Sequence, residues 1–170
     1  LTTGVLPSFY AECAEILKRY PAWNNILLFD PAGRQMLNLM RPLGAPLPDA
    51  VDGPQFREVV RSGRPGISDL IEGPVLKQPV ISVRYPVVRD DRVKYVLAVG
   101  LSPHSFQQLL GDQHLAPHWV GSIVDRRHVY IARTDTPSAA GTSAPAALVR
   151  GIDGASEHTF RAVLDGVDMT

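Results

Sequence analysis

Several features that mark a catalytic or metal-binding protein are missing from this sequence of 170 residues. Cysteine occurs once, at Cys13, which excludes an internal disulfide and every zinc or redox motif built from paired cysteines. Because Cys13 falls in the apolar stripe of a predicted helix, we expect a buried core thiol. No glycine-rich phosphate loop, Gly-x-Ser-x-Gly elbow or His-Glu-x-x-His motif occurs. The sequence therefore predicts neither a cofactor site nor a metal site.

Charge of one sign and long apolar runs are also lacking. Lysine plus arginine and aspartate plus glutamate number 17 each, so no net field favours nucleic acid or an anionic membrane. No apolar run approaches the ~18 residues needed to cross a bilayer, and no signal peptide is visible. The sequence begins with Leu1 and stops just after a turn signal at Asp165-Gly166, so we expect a piece of a larger protein.

Histidines and carboxylates form no catalytic pattern. His114 and His118 have ligand-like spacing, but Pro117 interrupts the helix that would align them, so exposed loop histidines are expected. The paired carboxylates Asp90-Asp91 fall at a predicted turn, where aspartate is favoured for backbone reasons. Nothing in the sequence requires a catalytic pair.

What is present is a regular series of helix and strand signals over the first 110 residues. Apolar residues at spacings of three and four predict a helix from Leu6 to Tyr20, which Pro21 ends. Short connections, with one apolar face per element, predict an α+β domain: a PAS-like, five-stranded antiparallel sheet with flanking helices. The predicted strands are 25–29, 35–39, 66–71, 80–88 and 94–101, with a loop at 41–54, a short helix bearing Phe56, Val59 and Val60, and a helix from Pro103 to Leu110.

A second, smaller unit follows. Residues 26–30 and 121–125 are both an apolar strand that ends in aspartate at a hairpin turn, 95 positions apart. The repeat predicts a second lobe on the same plan; chance similarity of two short hairpins is the alternative. A small-residue tract, a helix at 146–150 and a strand at Glu157–Leu164 complete it. We predict domains at 1–112 and 113–170, the second an incomplete PAS-like lobe that is truncated at its end.

Four stretches in this order carry a family resemblance: PAWNNILLFDPAGR at 21–34, FREVVRSGRPGISDL at 56–70, PVISVRYPV at 79–87 and VKYVLAVGL at 93–101. Together they resemble double Cache (PDC-type) sensor domains, and the Trp-Asn-Asn-Ile and Arg-Tyr-Pro-Val variants look most like the histidine kinase branch. The resemblance implies a periplasmic or extracellular input domain of an inner-membrane receptor. That receptor would be a two-component sensor histidine kinase, and the full-length receptor would be a homodimer. It also implies a membrane-distal lobe that holds a small-molecule ligand and a membrane-proximal lobe.

The amino-acid-binding branch of that family has an Arg-x-Trp-Tyr motif and an aspartate on the last distal strand, which holds the ligand's ammonium group. No Trp-Tyr pair occurs here, and Gly100 stands at the aspartate position. An ammonium left unpaired in a partly dry pocket would cost several kcal/mol. We therefore expect a ligand other than a plain α-amino acid.

Strand alternation selects the candidate ligand contacts. Ser82 and Arg84 share one face of their strand, and Tyr85 lies on the other. If the first face lines the pocket, Arg84 offers a fork for a carboxylate or phosphate; otherwise it is a solvent-facing strand arginine. Loops 41–54 and 66–78 should bound the pocket. The candidate contacts are Arg84, Ser82, Asp69, Tyr85, Tyr95 and Gly100, with packing as the alternative for both tyrosines.

Other function classes stay open. A chemoreceptor or a cyclic-di-nucleotide signalling protein could own the same sensor module, and only flanking sequence would separate these from a histidine kinase. A protein-interaction domain would show an extended apolar groove and no enclosed pocket. A small hydrolase would reveal itself by turnover without added partners.

Overall fold

A computed structural model describes residues 5–51, 53–152, 162–164 and 167–169. Its α-helices are α1 (Leu6–Arg19), α2 (Gly53–Ser62), α3 (Pro103–Gly111) and α4 (Ala146–Gly151). Its strands are β1 (Trp23–Phe29), β2 (Gln35–Asn38), β3 (Gly66–Ile67), β4 (Ile71–Glu72), β5 (Pro79–Arg89), β6 (Arg92–Leu101), β7 (Ser122–Val124), β8 (Tyr130–Arg133), β9 (Ala162–Leu164) and β10 (Val167–Met169).

The chain divides into two compact units, Leu1–Ser102 and Pro103–Thr170. The division after residue 102 differs from the predicted boundary after residue 112. Helix α3 packs on β8, and the Gln107 Oε1 accepts the backbone N–H of Arg133 at 3.1 Å. This long-range contact places α3 with the second unit, whereas its position in the sequence favoured the first.

The first unit is an antiparallel sheet with strand order β2-β1-β6-β5-β3, and β4 also pairs with β5. The predicted α+β class and its antiparallel sheet with flanking helices are confirmed. The long β5–β6 hairpin turns at Asp90 and Asp91, whose φ angles are both positive, at 51° and 56°. Such a two-residue turn matches the right-handed twist of the strands it joins.

The strand predicted at 66–71 is wrong in one respect, because it is broken into β3 and β4. The Ser68 hydroxyl accepts the backbone N–H of Ser82 at 2.8 Å and donates to the Asp69 carbonyl at 2.7 Å. Here a serine hydroxyl accepts a hydrogen bond that a backbone carbonyl would accept in a regular strand pair. This competition interrupts the strand. The pattern of apolar residues does not reveal this competition.

Helix α2 packs on one face of the sheet. Its buried residues Phe56 and Val59 lie against Phe29, Val96 and Ala98. Every second residue of β1 and β6 therefore points toward α2. On these two strands, those are the side chains that can reach a site beside this helix.

Helix α1 packs on β1, and Cys13 is its buried residue, as predicted. Burial first, and the nearby Glu12 charge second, raise the pKa of the Cys13 thiol above its ordinary value. The thiol is therefore held in its neutral form, as expected for a core residue.

The second unit contains two short antiparallel pairs, β7–β8 and β9–β10. A 3₁₀ helix, Pro137–Ala139, lies in the small-residue tract. Of the strand predicted at Glu157–Leu164, Glu157 to Arg161 lie outside the described residues, and the rest is β9. In the part of the chain that the structure describes, no helix has both the length and the apolar character needed to span a bilayer.

Candidate ligand-binding site

A cavity lies on the α2 face of the first unit's sheet. It contains about 560 Å³ of space free of protein atoms, including its open mouth, and the centres of water molecules can occupy about 60 Å³ of it. A site needs roughly 10–15 Å³ of such space per water, so the enclosed part suits a ligand of a few heavy atoms. Polar side chains of the sheet form its floor, and two loops that include Asp49–Val51 and Gly73–Leu76 contribute to its walls.

Strand register brings Ser82, Arg84 and Gly100 into this cavity. Ser82 pairs with Gly100 across β5 and β6, and Arg84 pairs with Ala98, so all four residues share one face. Ser82 and Arg84 are buried, the latter with 2% of its surface exposed. Arg84 is therefore an interior arginine and not a solvent-facing one.

The aromatic ring of Phe56 supports the Arg84 side chain. The guanidinium carbon of Arg84 lies 5.5 Å from the centre of the Phe56 ring, and Phe56 in turn makes an edge contact with Phe29 at 5.3 Å. A desolvated cation over an aromatic face gains about 2 kcal/mol. The contact holds the planar fork in one orientation inside the cavity.

A β-bulge puts two consecutive asparagines in the lining. Trp23 pairs with Leu101 and Asn25 pairs with Gly100, so Asn24 is an extra residue in β1. In a regular strand, Asn24 and Asn25 would point to opposite faces; here both line the cavity. A Cβ atom at Gly100 would overlap the Asn24 Oδ1. The missing side chain of Gly100 thus makes room for Asn24.

A chain of side-chain amides continues from Asn25 along the cavity. The Asn25 Nδ2 donates to the Asn38 Oδ1 at 2.9 Å, and the Asn38 Nδ2 donates to the Gln35 Oε1 at 2.9 Å. The backbone N–H of Met40 also donates to the Asn38 Oδ1, at 3.0 Å. Because a backbone N–H is always a donor, this bond fixes which way each amide points.

The remaining predicted contacts lie elsewhere. Tyr85 is 64% exposed on the opposite face of β5, and Tyr95 points to that same face because it precedes Val96. Asp69 is buried and accepts a hydrogen bond from the Gln55 Nε2 at 2.7 Å, but it is not among the lining residues described. The alternation that turned Ser82 and Arg84 inward required Tyr85 to point outward.

The side-chain amides of the lining were not predicted from the sequence; they belong to Asn24, Asn25, Asn38 and Gln35. The available signal was the pair Asn24-Asn25 at the start of an otherwise apolar strand. Two buried amides lose their hydration, so they need hydrogen-bond partners in the folded protein. Among the described residues, no group of three or more His, Cys, Asp or Glu could hold a metal ion.

Known proteins provide a match to this fold. No protein-family model and no curated protein sequence matches the chain. Among solved structures, an extracellular ligand binding receptor from Desulfohalobium retbaense DSM5692 gives a TM-score of 0.67 at 17% identity, over 94% of this chain and 29% of that one. The sensory domain of the Campylobacter jejuni chemoreceptor Tlp3, with isoleucine bound, gives 0.66 at 16% identity, over 99% of this chain and 67% of that one.

A third match is the sensor domain of the V. cholerae histidine kinase DctB, with a TM-score of 0.61 at 13% identity, over 89% of this chain and 57% of that one. The chain has the fold of a receptor sensor domain. At the level of fold, the resemblance to Cache-type sensor domains is therefore confirmed. The chain spans less than a third of the first of these three structures and 57–67% of the other two.

Proposed function

We propose that this chain is the extracytoplasmic, ligand-sensing input domain of a bacterial transmembrane receptor, in the first instance a sensor histidine kinase that acts as a homodimer. The observation that carries the proposal is a cavity lined by a buried arginine, Arg84, in a chain with a sensor-domain fold. The first unit is the membrane-distal lobe that holds the ligand, and the second is the membrane-proximal lobe. The ligand is a small carboxylate.

The chemistry of the cavity fits this ligand. A guanidinium fork binds a carboxylate through two parallel charge-assisted hydrogen bonds, which are about twice as strong as neutral ones. The Ser82 hydroxyl lies on the same strand and face, two residues away, and can donate to the same group.

Signalling needs no reaction in this domain. A ligand that binds the closed arrangement of the two loops better than the open one shifts their equilibrium by that difference in affinity. The movement is passed to the membrane segments of the receptor and changes the cytoplasmic kinase.

Thermal-shift measurements with acetate, propionate, succinate and inorganic phosphate test the Arg84 site. A ligand at about 100 times its Kd adds about 2.7 kcal/mol of stability, which raises the Tm of a 100-residue domain by about 10 °C or more. Arg84→Lys keeps the charge and loses the fork, so carboxylate affinity should fall about tenfold or more. The matched control is Arg89→Lys, an exposed arginine of the same strand.

If no anion stabilises the wild-type protein, or if Arg84→Lys and Arg84→Ala bind carboxylates as the wild type does, Arg84 is not the ligand residue. Circular dichroism of each unliganded variant separates a lost contact from a lost fold. A protein partner that binds without competition from any carboxylate would support an interaction domain.

A chemoreceptor is the second candidate, because the structural similarity to the Tlp3 sensory domain is as high as that to the histidine kinase domain. The rest of the gene decides between them. We expect a spanning helix on each side of this chain and a kinase region after the second helix. A long methyl-accepting coiled coil, or a cyclic-di-nucleotide enzyme, in that place would replace the kinase assignment and leave the sensor assignment intact.

A further inference from the structure

Two carbonyl oxygens in the cavity have no hydrogen-bond donor in the part of the chain that the structure describes. The Oδ1 atoms of Asn24 and Asn25 are both buried and have no partner there, although the side chains line the cavity. Asn25 as a whole is 94% buried, with 6% of its surface exposed. A buried acceptor without a donor costs free energy, so the site is complementary to a ligand that supplies one.

The amide chain proves that the Asn25 atom is an acceptor. The backbone N–H of Met40 forces the Asn38 Oδ1 to accept, so Asn25 must turn its Nδ2 toward Asn38. The Asn25 Oδ1 is therefore left on the other side of the amide group. The bulge at Asn24 and the absent side chain of Gly100 put the second acceptor, the Asn24 Oδ1, in the lining of the same cavity.

The electrostatics of the lining favour an uncharged donor. Among the described lining residues, Arg84 is the one cation and Asp49 the one carboxylate, and Asp49 is exposed. An ammonium group at the asparagines would be desolvated with only neutral oxygens as partners and would add a second positive charge to the cavity that contains Arg84. A hydroxyl or a carboxamide N–H satisfies the same oxygens without either cost.

The volume of the cavity limits the size of the ligand. Asn25 and Arg84 lie on the two strands that flank β6, offset by two residues, so strand spacing and rise put their Cα atoms about 12 Å apart. Both side chains line the same cavity, in which the centres of water molecules can occupy about 60 Å³. A ligand of that size has only a few heavy atoms, so its acid and its donor are separated by only a few bonds.

We propose that the ligand is a short carboxylic acid with an uncharged O–H or N–H donor, a hydroxy acid or a carboxamide acid, whose carboxylate binds Arg84 and whose donor binds Asn24 and Asn25. This inference rests on the proposed function of the same cavity and adds the second half of its specificity.

Calorimetric titration with matched acids tests the inference. Lactate, alanine and propionate share a three-carbon skeleton and differ in a hydroxyl, an ammonium and a hydrogen; succinamate and succinate differ in a carboxamide and a carboxylate. We expect lactate, succinamate or both to bind about tenfold or more tightly than the partner without the donor, and alanine to bind no more tightly than propionate. Equal binding of lactate and propionate together with equal binding of succinamate and succinate, or tighter binding of alanine than of lactate, overturns the inference.

Failure of the inference and failure of the proposed function give different results. If all acids bind equally and Arg84→Lys weakens all of them, the Arg84 site stands and the asparagine role falls. If no acid binds, both fall.

Two variants test the asparagine end directly. Asn24→Asp puts a carboxylate in place of the amide, so the ratio of lactate to alanine affinity should shift at least about tenfold toward alanine. Gln78→Glu makes the same change at an exposed residue outside the described lining and should leave the ratio unchanged.

Gly100→Ala displaces the Asn24 Oδ1 and should reduce the advantage of the donor while propionate binding persists. Unchanged ratios in both Asn24→Asp and Gly100→Ala would show that Asn24 does not contact the ligand.

Discussion

The turn at residues 30–34 in the first unit and the turn at 125–129 in the second have the same hydrogen bonds. In each, the first residue is an aspartate whose Oδ1 accepts the backbone N–H groups two and four residues further on. The donors are Ala32 and Arg34 at 2.9 and 3.0 Å, and Arg127 and Val129 at 2.8 and 2.9 Å. The two similar stretches of sequence 95 residues apart thus form turns of the same geometry.

The two turns differ in the residues that surround the aspartate. An arginine binds the Oδ2 of each aspartate, but it is Arg34, four residues on, in the first turn and Arg127, two residues on, in the second. The fourth residue has a positive φ in both, 91° at Gly33 and 59° at His128. An aspartate at the first position of the turn is therefore enough to specify this turn geometry, and the residues after it can vary.

The strands that flank the two turns have different pairing partners. Strand β1 pairs with both β2 and β6 and carries the bulge that turns Asn24 into the cavity. Among the described residues, β7 pairs with β8 alone. The candidate site therefore arises from the sheet that surrounds the first hairpin and not from the hairpin itself.

Removing the aspartates should break the second turn more severely than the first. The Asp125 side chain is 1% exposed and that of Asp30 is 17% exposed, so water can replace the lost acceptor more easily at residue 30. We expect Asp125→Ala to cost about 2–3 kcal/mol of stability and Asp30→Ala about 1 kcal/mol. Hydrogen exchange at the backbone amides of Arg127 and Val129, and of Ala32 and Arg34, measures each turn separately.

The control for this pair is Asp112→Ala, an exposed aspartate outside both turns, which should change neither set of exchange rates. Equal losses from Asp125→Ala and Asp30→Ala would contradict the role of burial.

Substitutions at the two residues with positive φ, Gly33 and His128, should change the stability of the protein in opposite directions. Gly33→Ala should cost about 1–2 kcal/mol, because the nearest side-chain atom to the new Cβ, on Ala50, is 3.5 Å away and the penalty is therefore that of the backbone. His128→Gly relieves the same strain and should stabilise the protein by at most about 1 kcal/mol. Urea unfolding followed by circular dichroism measures both.

His128→Asn serves as the control, since asparagine tolerates this conformation and should fall between histidine and glycine. A loss of stability in His128→Gly would mean that contacts of the imidazole outweigh the strain.

Much of the fold could be predicted because it follows from local patterns. Alternation located β5 and β6 and put Ser82 and Arg84 on one face, and the Asp-Pro-Ala-Gly turn located the first hairpin. The break between β3 and β4 could not be predicted, because it depends on the Ser68 hydroxyl meeting the Ser82 N–H across the sheet.

The asparagine end of the candidate site could not be predicted for the same reason, because it depends on contacts between distant strands. The bulge that redirects Asn24 is set by the pairing of β1 with β6, which lies more than seventy residues away in the sequence. Gly100 was expected as a position that lacks a carboxylate; in the structure it is also the space that Asn24 fills. Contacts between distant strands decide these details, and they leave no periodic signal.

The smallest expected effect is the loss of stability of each unit at low pH. Burial alone would raise the pKa of Asp30, but the hydrogen bonds and charge of Arg34 and the N–H of Ala32 outweigh it and lower that pKa. In the second unit, burial likewise opposes a lowering of the Asp135 pKa that comes from the Arg133 hydrogen bonds and charge. In both units a carboxylate is thus more acidic in the folded than in the unfolded protein.

A carboxyl whose pKa is lowered by folding contributes its stability above the unfolded-state pKa of about 4, and the contribution is lost as the pH falls through the lower folded-state pKa. Asp30→Asn should therefore lower the Tm by about 2 °C at pH 6, and the difference from the wild type should vanish toward pH 2. Asp135→Asn should do the same, with the loss of protection confined to amides of the second unit in hydrogen exchange. A difference in Tm that is constant from pH 2 to pH 6 would mean that the hydrogen-bond geometry of these side chains, and not their charge, stabilises the folded protein.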